Sequence, residues 1–147
     1  MFLDNGLILL GEDDGNDALL FELMWRRCGL NNRIVVAPTL NDLRAYLEGI
    51  GQYSDREAYP LPCLVFLDGH IPPHDATVDA EWLHLLLKQH QIPLVVLTGD
   101  MNPKLEQRAK NLGAVARILK PLTREHVQAL GSTLAKYRVQ ALSAELA

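Results

Sequence analysis

The sequence predicts an α/β protein whose core is a doubly wound parallel sheet. Five short apolar runs alternate with longer segments of helical periodicity along the 147 residues. The central run, residues 63–67, is apolar throughout and stands between Pro62 and Gly69. A run that is too short for a buried helix and is bounded in this way indicates a strand buried on both faces, as in parallel sheets covered by helices. The alternation therefore predicts right-handed crossovers with helices on both faces of the sheet.

The first two strand–helix units occupy the first third of the chain. Residues 7–10 form the first predicted strand, and apolar side chains recur at helical spacing over residues 16–28. Residues 33–37 are rich in β-branched side chains and form the second strand. The next helix, residues 39–50, begins with a threonine suited to an N-cap. Residues 52–60 are polar and without periodicity, so we expect an exposed loop.

The second half of the chain continues the alternation after the central strand. A leucine-rich helix is predicted over residues 80–89 and a fourth apolar strand over residues 94–98. An Asn-Pro pair starts a helix over residues 102–112, and the fifth strand covers residues 115–119. A threonine at position 123 caps a last helix that runs nearly to the C-terminus. Each strand is thus followed by a helix, as a doubly wound sheet requires.

Composition and charge exclude several classes of function. The apolar fraction of 48% and the charged fraction of 22% are those of an ordinary soluble globular domain. A formal net charge of −4, without a cluster of basic residues, argues against a nucleic-acid-binding surface. No apolar run approaches the roughly 20 residues of a membrane span, and the N-terminus lacks the basic start of a secretory signal. We therefore expect a cytoplasmic protein without membrane or nucleic-acid partners.

Polar side chains follow four of the five predicted strands. Glu12 and Asp13 follow the first strand, Asp68 follows the third, Thr98 ends the fourth and Lys120 follows the fifth. Ligands of open α/β sheets bind beyond the carboxyl ends of the strands, so these side chains are expected to meet at one edge. Taken singly, each residue has an ordinary structural explanation, such as a helix cap, a turn or a surface charge. Their coincidence at four strand ends favours a functional site.

The chemistry that this set of side chains supports is narrow. Three crowded carboxylates repel one another, and a hard cation such as Mg²⁺ relieves that repulsion. A carboxylate beside the cation can attack a phosphoryl group and form an acyl phosphate. A lysine supplies positive charge to a phosphate oxygen, and a threonine hydroxyl supplies one hydrogen bond. The set therefore predicts phosphoryl transfer to Asp68.

Four short motifs in a fixed order resemble those of a response-regulator receiver domain. They are Glu-Asp-Asp after the first strand, Leu-Asp-x-x-x-Pro after the third, Leu-Thr-Gly after the fourth and Leu-Lys-Pro after the fifth. Each motif alone is weak, but the ordered set is specific. The resemblance covers about residues 7–139. It implies a flavodoxin-like sheet of five parallel strands in a single domain, residues 1–147, in which residues 140–147 extend the last helix.

The resemblance also implies a role for each residue at the strand ends. Asp68 is the implied phosphoacceptor, and Thr98 and Lys120 are the implied contacts of the phosphoryl group. The implied Mg²⁺ site consists of Glu12, Asp13, Asp68 and the backbone carbonyl of His70, whose side chain is not implicated. The peptide bond before Pro121 is implied to be cis.

The same resemblance indicates the partners. The implied phosphodonor is a phosphohistidine on a sensor histidine kinase or a phosphotransfer protein. The domain would signal by phosphorylation-dependent protein binding, with no enzymatic activity beyond its own phosphorylation and dephosphorylation. The insertion between residues 48 and 60 is similar to that of the stand-alone receivers that partner phytochrome-type sensor kinases. Because only a helix follows Lys120, we expect signalling through a surface, including a homodimer formed by the last helix with Leu142 and Leu146.

Two positions depart from the receiver pattern. Arg117, three residues before Lys120, replaces the tyrosine or phenylalanine whose ring usually turns inward on activation. Burying an unpaired guanidinium is costly, so we expect Arg117 to stay at the surface and to pair with a carboxylate or a partner protein. Ala76 follows Asp75 where receivers commonly have a glycine, which is expected to stiffen the loop over the site.

Two other classes of function are compatible with part of this pattern. Hydrolases of the haloacid-dehalogenase type also place an aspartate, a threonine or serine and a lysine on such a sheet. They require a second aspartate two residues after the nucleophile, where this chain has His70, and their metal-binding acids come late in the chain. An interaction module that kept the fold without phosphorylation is the other alternative. Retention of Asp13, Asp68, Thr98 and Lys120 argues against it.

Overall fold

The computed structural model describes residues 6–71, 80–100 and 102–146, with the side chains of the last helix described as far as Tyr137. Five parallel strands form one sheet in the order β2-β1-β3-β4-β5. This is the flavodoxin-like order, and it confirms the predicted fold class. The strands are β1 (Ile8–Gly11), β2 (Ile34–Ala37), β3 (Leu64–Asp68), β4 (Leu94–Thr98) and β5 (Ala116–Leu119). The helices are α1 (Gly15–Arg27), α2 (Leu40–Glu48), α3 (Glu81–His90), α4 (Pro103–Asn111) and α5 (Arg124–Leu146).

The helices cover both faces of the sheet, because alternate residues of each central strand point to opposite sides. Leu10 and Phe66 belong to the core under α1 and α5. Leu9 and Val65 belong to the core under α2, α3 and α4. The three interior strands, β1, β3 and β4, are buried along their whole length. This double burial explains why their sequences are apolar runs without alternation.

Local capping chemistry sets the helix ends. Thr39 caps α2 as predicted, and its hydroxyl accepts a hydrogen bond from the Asp42 N–H. Gly49 then ends α2 with a φ of +68°, which is a left-handed conformation that favours glycine, so the helix stops two residues before the predicted Ile50. Asp14 caps α1 by accepting from the backbone N–H groups of Asn16 and Asp17.

The segment at residues 52–60 is more ordered than the predicted exposed loop. Tyr53 ends a short 3₁₀ helix and is 7% exposed, and its ring packs against Tyr46 and Tyr59 with centroid distances of 4.9 and 5.3 Å. The Arg56 guanidinium donates hydrogen bonds of 2.8 Å to the carbonyls of both Tyr46 and Leu47, the last full turn of α2. Aromatic packing and a capping arginine therefore fold this segment without any periodic pattern in its sequence.

Some predictions concern parts of the chain outside this description. Asp75 and Ala76 lie in the range 72–79, and Leu142 and Leu146 have no described side chains. Within the described residues, no helix is both long and apolar enough to cross a membrane.

Candidate functional site

The sheet brings four of the predicted residues to its carboxyl edge. Asp68 and Thr98 are the last residues of the adjacent strands β3 and β4, whereas Glu12 and Lys120 directly follow β1 and β5. Because all four strands are parallel, these side chains leave the sheet at the same end. The peptide bond between Lys120 and Pro121 is cis, as the resemblance implied.

Lys120 is the centre of the polar contacts at this edge. Its Nζ donates hydrogen bonds to Asp68 Oδ2 at 2.6 Å, Glu12 Oε2 at 2.7 Å and Asp17 Oδ2 at 3.1 Å. An ammonium group has three N–H donors, so three carboxylates use all of them. Asp68 and Glu12 are only 5% and 2% exposed, and a buried charge requires such a partner.

The remaining oxygens of the two buried carboxylates accept from the backbone. The His70 N–H donates to Asp68 Oδ1 at 2.8 Å, and the Asp14 N–H donates to Glu12 Oε1 at 3.1 Å. The His70 side chain is exposed, and its lack of a ligand role stays a prediction. These contacts orient both carboxylates from two sides, which fixes the geometry of the site.

The pKa values of the group follow from burial and from these contacts. Burial and a hydrogen bond with Asp68 raise the pKa of Glu12 to about 7. Burial acts to raise the pKa of Asp68 as well, but hydrogen bonds with Glu12, Lys120 and the His70 N–H outweigh it, so that this pKa lies below its usual value. Burial opposes the charge of Lys120, yet its bonds to Asp68, Glu12 and Asp17 raise its pKa. Asp68 is therefore ionised at neutral pH, as a nucleophile must be.

The carboxylates at this edge suit a divalent cation. Among the described residues, Glu12, Asp17 and Asp68 offer carboxylate oxygens that lie within 4.8 Å of one another. Hard oxygen donors in this number are what Mg²⁺ and similar ions prefer. Asp13 is exposed at the same edge and is not part of this group, so its role as a metal ligand stays a prediction.

The sequence analysis missed Asp17. This residue belongs to the first turn of α1, not to a strand end, and the sequence there indicates only an acidic helix start. Asp17 lies five residues after Glu12, and the turn between them places it near the same edge of the sheet. An acidic residue in the first turn of the helix after an acidic strand end is the signal that would have pointed to it.

Thr98 has an unusual environment. Its side chain is fully buried, and its Oγ1 has no hydrogen-bond partner in the described part of the chain. Leaving a buried hydroxyl unpaired costs about 1–3 kcal/mol. A hydrogen bond from the Thr98 hydroxyl to an oxygen at the end of β4 would therefore be stabilising.

Two arginines lie on the α4–β5 side of the site. The Arg117 side chain on β5 is 20% exposed, and its Nη2 lies 3.9 Å from Glu106 Oε2 on α4. Its Nη1 is buried and has no hydrogen-bond partner among the described residues, so the guanidinium is less exposed than the sequence predicted. Arg108, which the sequence analysis did not single out, donates from Nη1 to the carbonyl of Gly69 at 2.9 Å. This hydrogen bond connects α4 to Gly69, the residue that follows Asp68. Burial lowers the pKa of Arg108.

Comparisons with known proteins agree with this fold. No protein-family model matches the sequence, and none of the curated proteins compared with it matches either. The bacteriophytochrome response regulator AtBRR has a similar solved structure, with 28% identity, a TM-score of 0.71 and coverage of 88% of this chain and 92% of its own. The bacteriophytochrome response regulator RtBRR shows 26% identity, a TM-score of 0.69 and coverage of 88% and 77%.

A third solved structure, the Mn²⁺-bound form of response regulator Rcp1, is 22% identical, has a TM-score of 0.60 and covers 88% of both chains. At this identity the likeness supports the fold alone. The receiver fold suggests a signalling domain rather than a catalytic enzyme. The strand order and these structural neighbours together support a stand-alone receiver domain, and the solved structures similar to this chain include bacteriophytochrome response regulators.

Proposed function

We propose that this receiver accepts a phosphoryl group on Asp68 and signals through phosphorylation-dependent protein binding. The observation that supports this function most directly is the contact between Asp68 Oδ2 and Lys120 Nζ at 2.6 Å. It combines an ionised, oriented nucleophile with a positive charge beside the position of the incoming phosphoryl oxygens.

In the proposed reaction, an Asp68 carboxylate oxygen attacks the phosphorus of a phosphohistidine. The new O–P bond forms as the P–N bond breaks, and the electron pair of that bond stays on the imidazole nitrogen of the donor. Lys120 donates to a phosphoryl oxygen, and the unpaired hydroxyl of Thr98 is the second donor. Mg²⁺ held by Glu12 and Asp68, with Asp13 and the His70 carbonyl as further predicted ligands, would offset charge on the transferring group.

The phosphodonor that fits best is a sensor histidine kinase or a phosphotransfer protein. Two solved structures above 25% identity are bacteriophytochrome response regulators, so we extend the proposal to a phytochrome-type kinase. Phosphotransfer assays with purified, autophosphorylated kinases of phytochrome and other sensor types test this choice. Faster transfer from a kinase of another sensor type would contradict it.

Intact-mass spectrometry after incubation with acetyl phosphate tests the chemistry. We expect a Mg²⁺-dependent gain of one phosphate that is lost in Asp68→Asn, because an amide is neither a nucleophile nor an anionic ligand. Asp55→Asn is the matched control. Asp55 is an exposed carboxylate that accepts from the Glu57 N–H, and an asparagine oxygen keeps that bond.

Normal phosphorylation of Asp68→Asn, or none in the parent with any donor, would contradict the proposal. Catalytic release of phosphate from monoesters would favour a phosphohydrolase instead. Asp13→Asn is expected to weaken Mg²⁺ binding, since it removes one charge from a site for a hard cation.

A further inference from the structure

Asp17 is an acidic residue at the site that has no role in the function proposed above. Its backbone is held by the α1 cap, since the Asp17 N–H donates to Asp14 Oδ1 at 3.1 Å. Its carboxylate reaches across the chain to Lys120 Nζ, also at 3.1 Å. The Asp17 side chain is 46% exposed, whereas the Glu12 and Asp68 side chains that share the same ammonium are 2% and 7% exposed. Asp17 is thus the partner of Lys120 on the solvent side.

The layers of the fold separate Asp17 from the loop that follows Asp68. Asp17 stands on α1, and Lys120 leads into α5, whose apolar side chains pack on the same face of the sheet as those of α1. His70 leads toward α3, which packs on the opposite face. The Asp17 carboxylate nevertheless comes within 4.8 Å of oxygens of Glu12 and Asp68. Its hydrogen bond is with Lys120 Nζ, and on this contact we assign Asp17 to the lysine rather than to the metal ligands.

We propose that Asp17 is a positioning residue that retains Lys120 in the site when Glu12 and Asp68 turn their oxygens toward a divalent cation. The inference rests on the proposed function, since it concerns the state that accepts a phosphoryl group. In the structure, Lys120 has three carboxylate partners. A cation draws on two of them, and Asp17 then remains as the partner that holds the ammonium.

The flexibility of lysine explains why such a partner matters. An ammonium on a four-carbon stem is a mobile point charge, and it contributes to phosphoryl transfer only when it stays beside the phosphoryl oxygens. An arginine guanidinium is planar and presents its N–H donors in a fixed geometry, whereas the position of a lysine ammonium depends on its neighbours. Asp17 supplies that neighbour from a helix start whose backbone is fixed by the Asp14 cap.

The role of Asp17 can be measured without phosphorylation by competitive acetylation. Lysines are labelled with acetic anhydride, and the labelling is quantified by mass spectrometry. The labelling rate of Lys120 is compared with that of the exposed Lys88, with and without saturating Mg²⁺. In the parent protein, Mg²⁺ should change the ratio little. In Asp17→Asn, Mg²⁺ should raise Lys120 labelling by about two- to fivefold, the range expected for a partly exposed ion pair.

Glu22→Gln is the matched control, because it removes one carboxylate from α1 at a residue that pairs only with Arg26 among the salt bridges described. It should behave like the parent, and Asp17→Glu should restore most of the protection. If Asp17→Asn shows the same Mg²⁺ response as the parent, the proposal is overturned. A purely structural role of Asp17 at the helix start would lower thermal stability in both metal states without this Mg²⁺-dependent difference.

Two further measurements complete the test. The rate of phosphorylation by acetyl phosphate should fall by about two- to fivefold in Asp17→Asn, while the Mg²⁺ dissociation constant stays within about twofold of the parent value. A loss of Mg²⁺ affinity of tenfold or more would overturn the proposal, because it would make Asp17 a metal ligand. If the parent accepts no phosphate at all, the proposed function fails, whereas the labelling result still decides the role of Asp17.

Discussion

Lys120 Nζ lies 2.6 Å from Asp68 Oδ2, and this contact joins the ends of β5 and β3 across 52 positions of sequence. The contact exists because both strands are parallel members of one sheet with β4 between them. All three N–H groups of Lys120 donate to carboxylates. A phosphoryl group on Asp68 would therefore have to replace one of these acceptors in order to bind Lys120. Phosphorylation would therefore redistribute the contacts of Lys120.

The first prediction concerns pH and the carboxyl group of Glu12. Its pKa of about 7 in the fold lies above its ordinary value of 4.5, so the folded protein holds this proton between those two pH values. The stability that Glu12 contributes is then fully present below about pH 4.5 and is lost as the pH rises through about 7. A cation needs the ionised carboxylate, so Mg²⁺ binding should release a proton near neutral pH and weaken as the pH falls from 8 to 6.

Titration calorimetry at pH 6.5, in two buffers with different ionisation enthalpies, measures that proton release. Glu12→Gln should bind Mg²⁺ more weakly, by about tenfold for the loss of one carboxylate charge, and should release no proton from this position. Equal proton release by the parent and by Glu12→Gln would contradict the assignment of this pKa to Glu12.

The second prediction concerns Arg117. Its guanidinium lies 3.9 Å from the Glu106 carboxylate, a side chain that is 50% exposed, so the pair contributes less than about 1 kcal/mol to stability. We expect Arg117 to remain on the α4–β5 surface when Asp68 is phosphorylated, because burying it behind Thr98 would leave a charge without a partner.

A crystal structure of the protein phosphorylated on Asp68 checks the position of Arg117. An Arg117 side chain buried behind Thr98 would be the contrary result. Glu106→Gln, which removes the carboxylate charge, should change the urea midpoint only slightly, since the two groups are partly exposed.

The third prediction concerns the segment that covers the end of α2. Arg56 donates three hydrogen bonds to backbone carbonyls, those of Tyr46, Leu47 and Tyr59. Arg56→Ala should lower the free energy of unfolding by about 2–4 kcal/mol, because hydrogen bonds to charged groups are strong and the helix end would lose its cap.

Arg44→Ala is the control for that measurement. Arg44 is a half-exposed arginine of α2 that pairs with Glu48 one turn later and lies 5.0 Å from the centroid of the Trp82 ring, and removing it should cost about 1 kcal/mol. Urea unfolding of both variants gives the comparison. Equal losses in the two variants would mean that the Arg56 bonds add no more than a surface ion pair.

The sequence predicts the fold and four of the site residues for one physical reason. Strands buried on both faces are apolar throughout, so a polar residue where such a run stops stands out, as Asp68 and Thr98 do. Asp17 lacks that contrast because an acidic residue is ordinary in the first turn of a helix. The pairing of Arg117 with Glu106 could not be predicted from the sequence either, because it depends on how α4 packs against β5, and no local pattern determines that packing.

The segment at residues 52–60 shows a second limit of sequence patterns. Its structure depends on three tyrosine rings in mutual contact and on an arginine that reaches back to α2. None of these contacts repeats at a helical or strand period, so a polar composition predicts a loop. Long-range side-chain packing, not local propensity, orders the segment.

The last prediction concerns the C-terminal helix. α5 has 23 residues, whereas α1 has 13, so at 1.5 Å per residue α5 is about 15 Å longer. Its first half packs on the sheet through Val127, Leu130 and Leu134, all of which are buried. The sequence continues with Leu142 and Leu146 at a helical spacing of four. Apolar residues in the additional length of such a helix favour an interface between two copies of the chain.

We therefore predict a homodimer through the last helix that phosphorylation tightens. Sedimentation velocity of the full chain and of a chain truncated after Val139, each with and without phosphorylation, measures this. The full chain should show a concentration-dependent dimer that the truncated chain lacks. Leu142→Ser with Leu146→Ser is the finer variant, because it keeps the helix length and removes only the apolar side chains. Equal monomer content in all three proteins, in both phosphorylation states, would rule out an interface at this end of the helix, and signalling would then require a different surface of the domain.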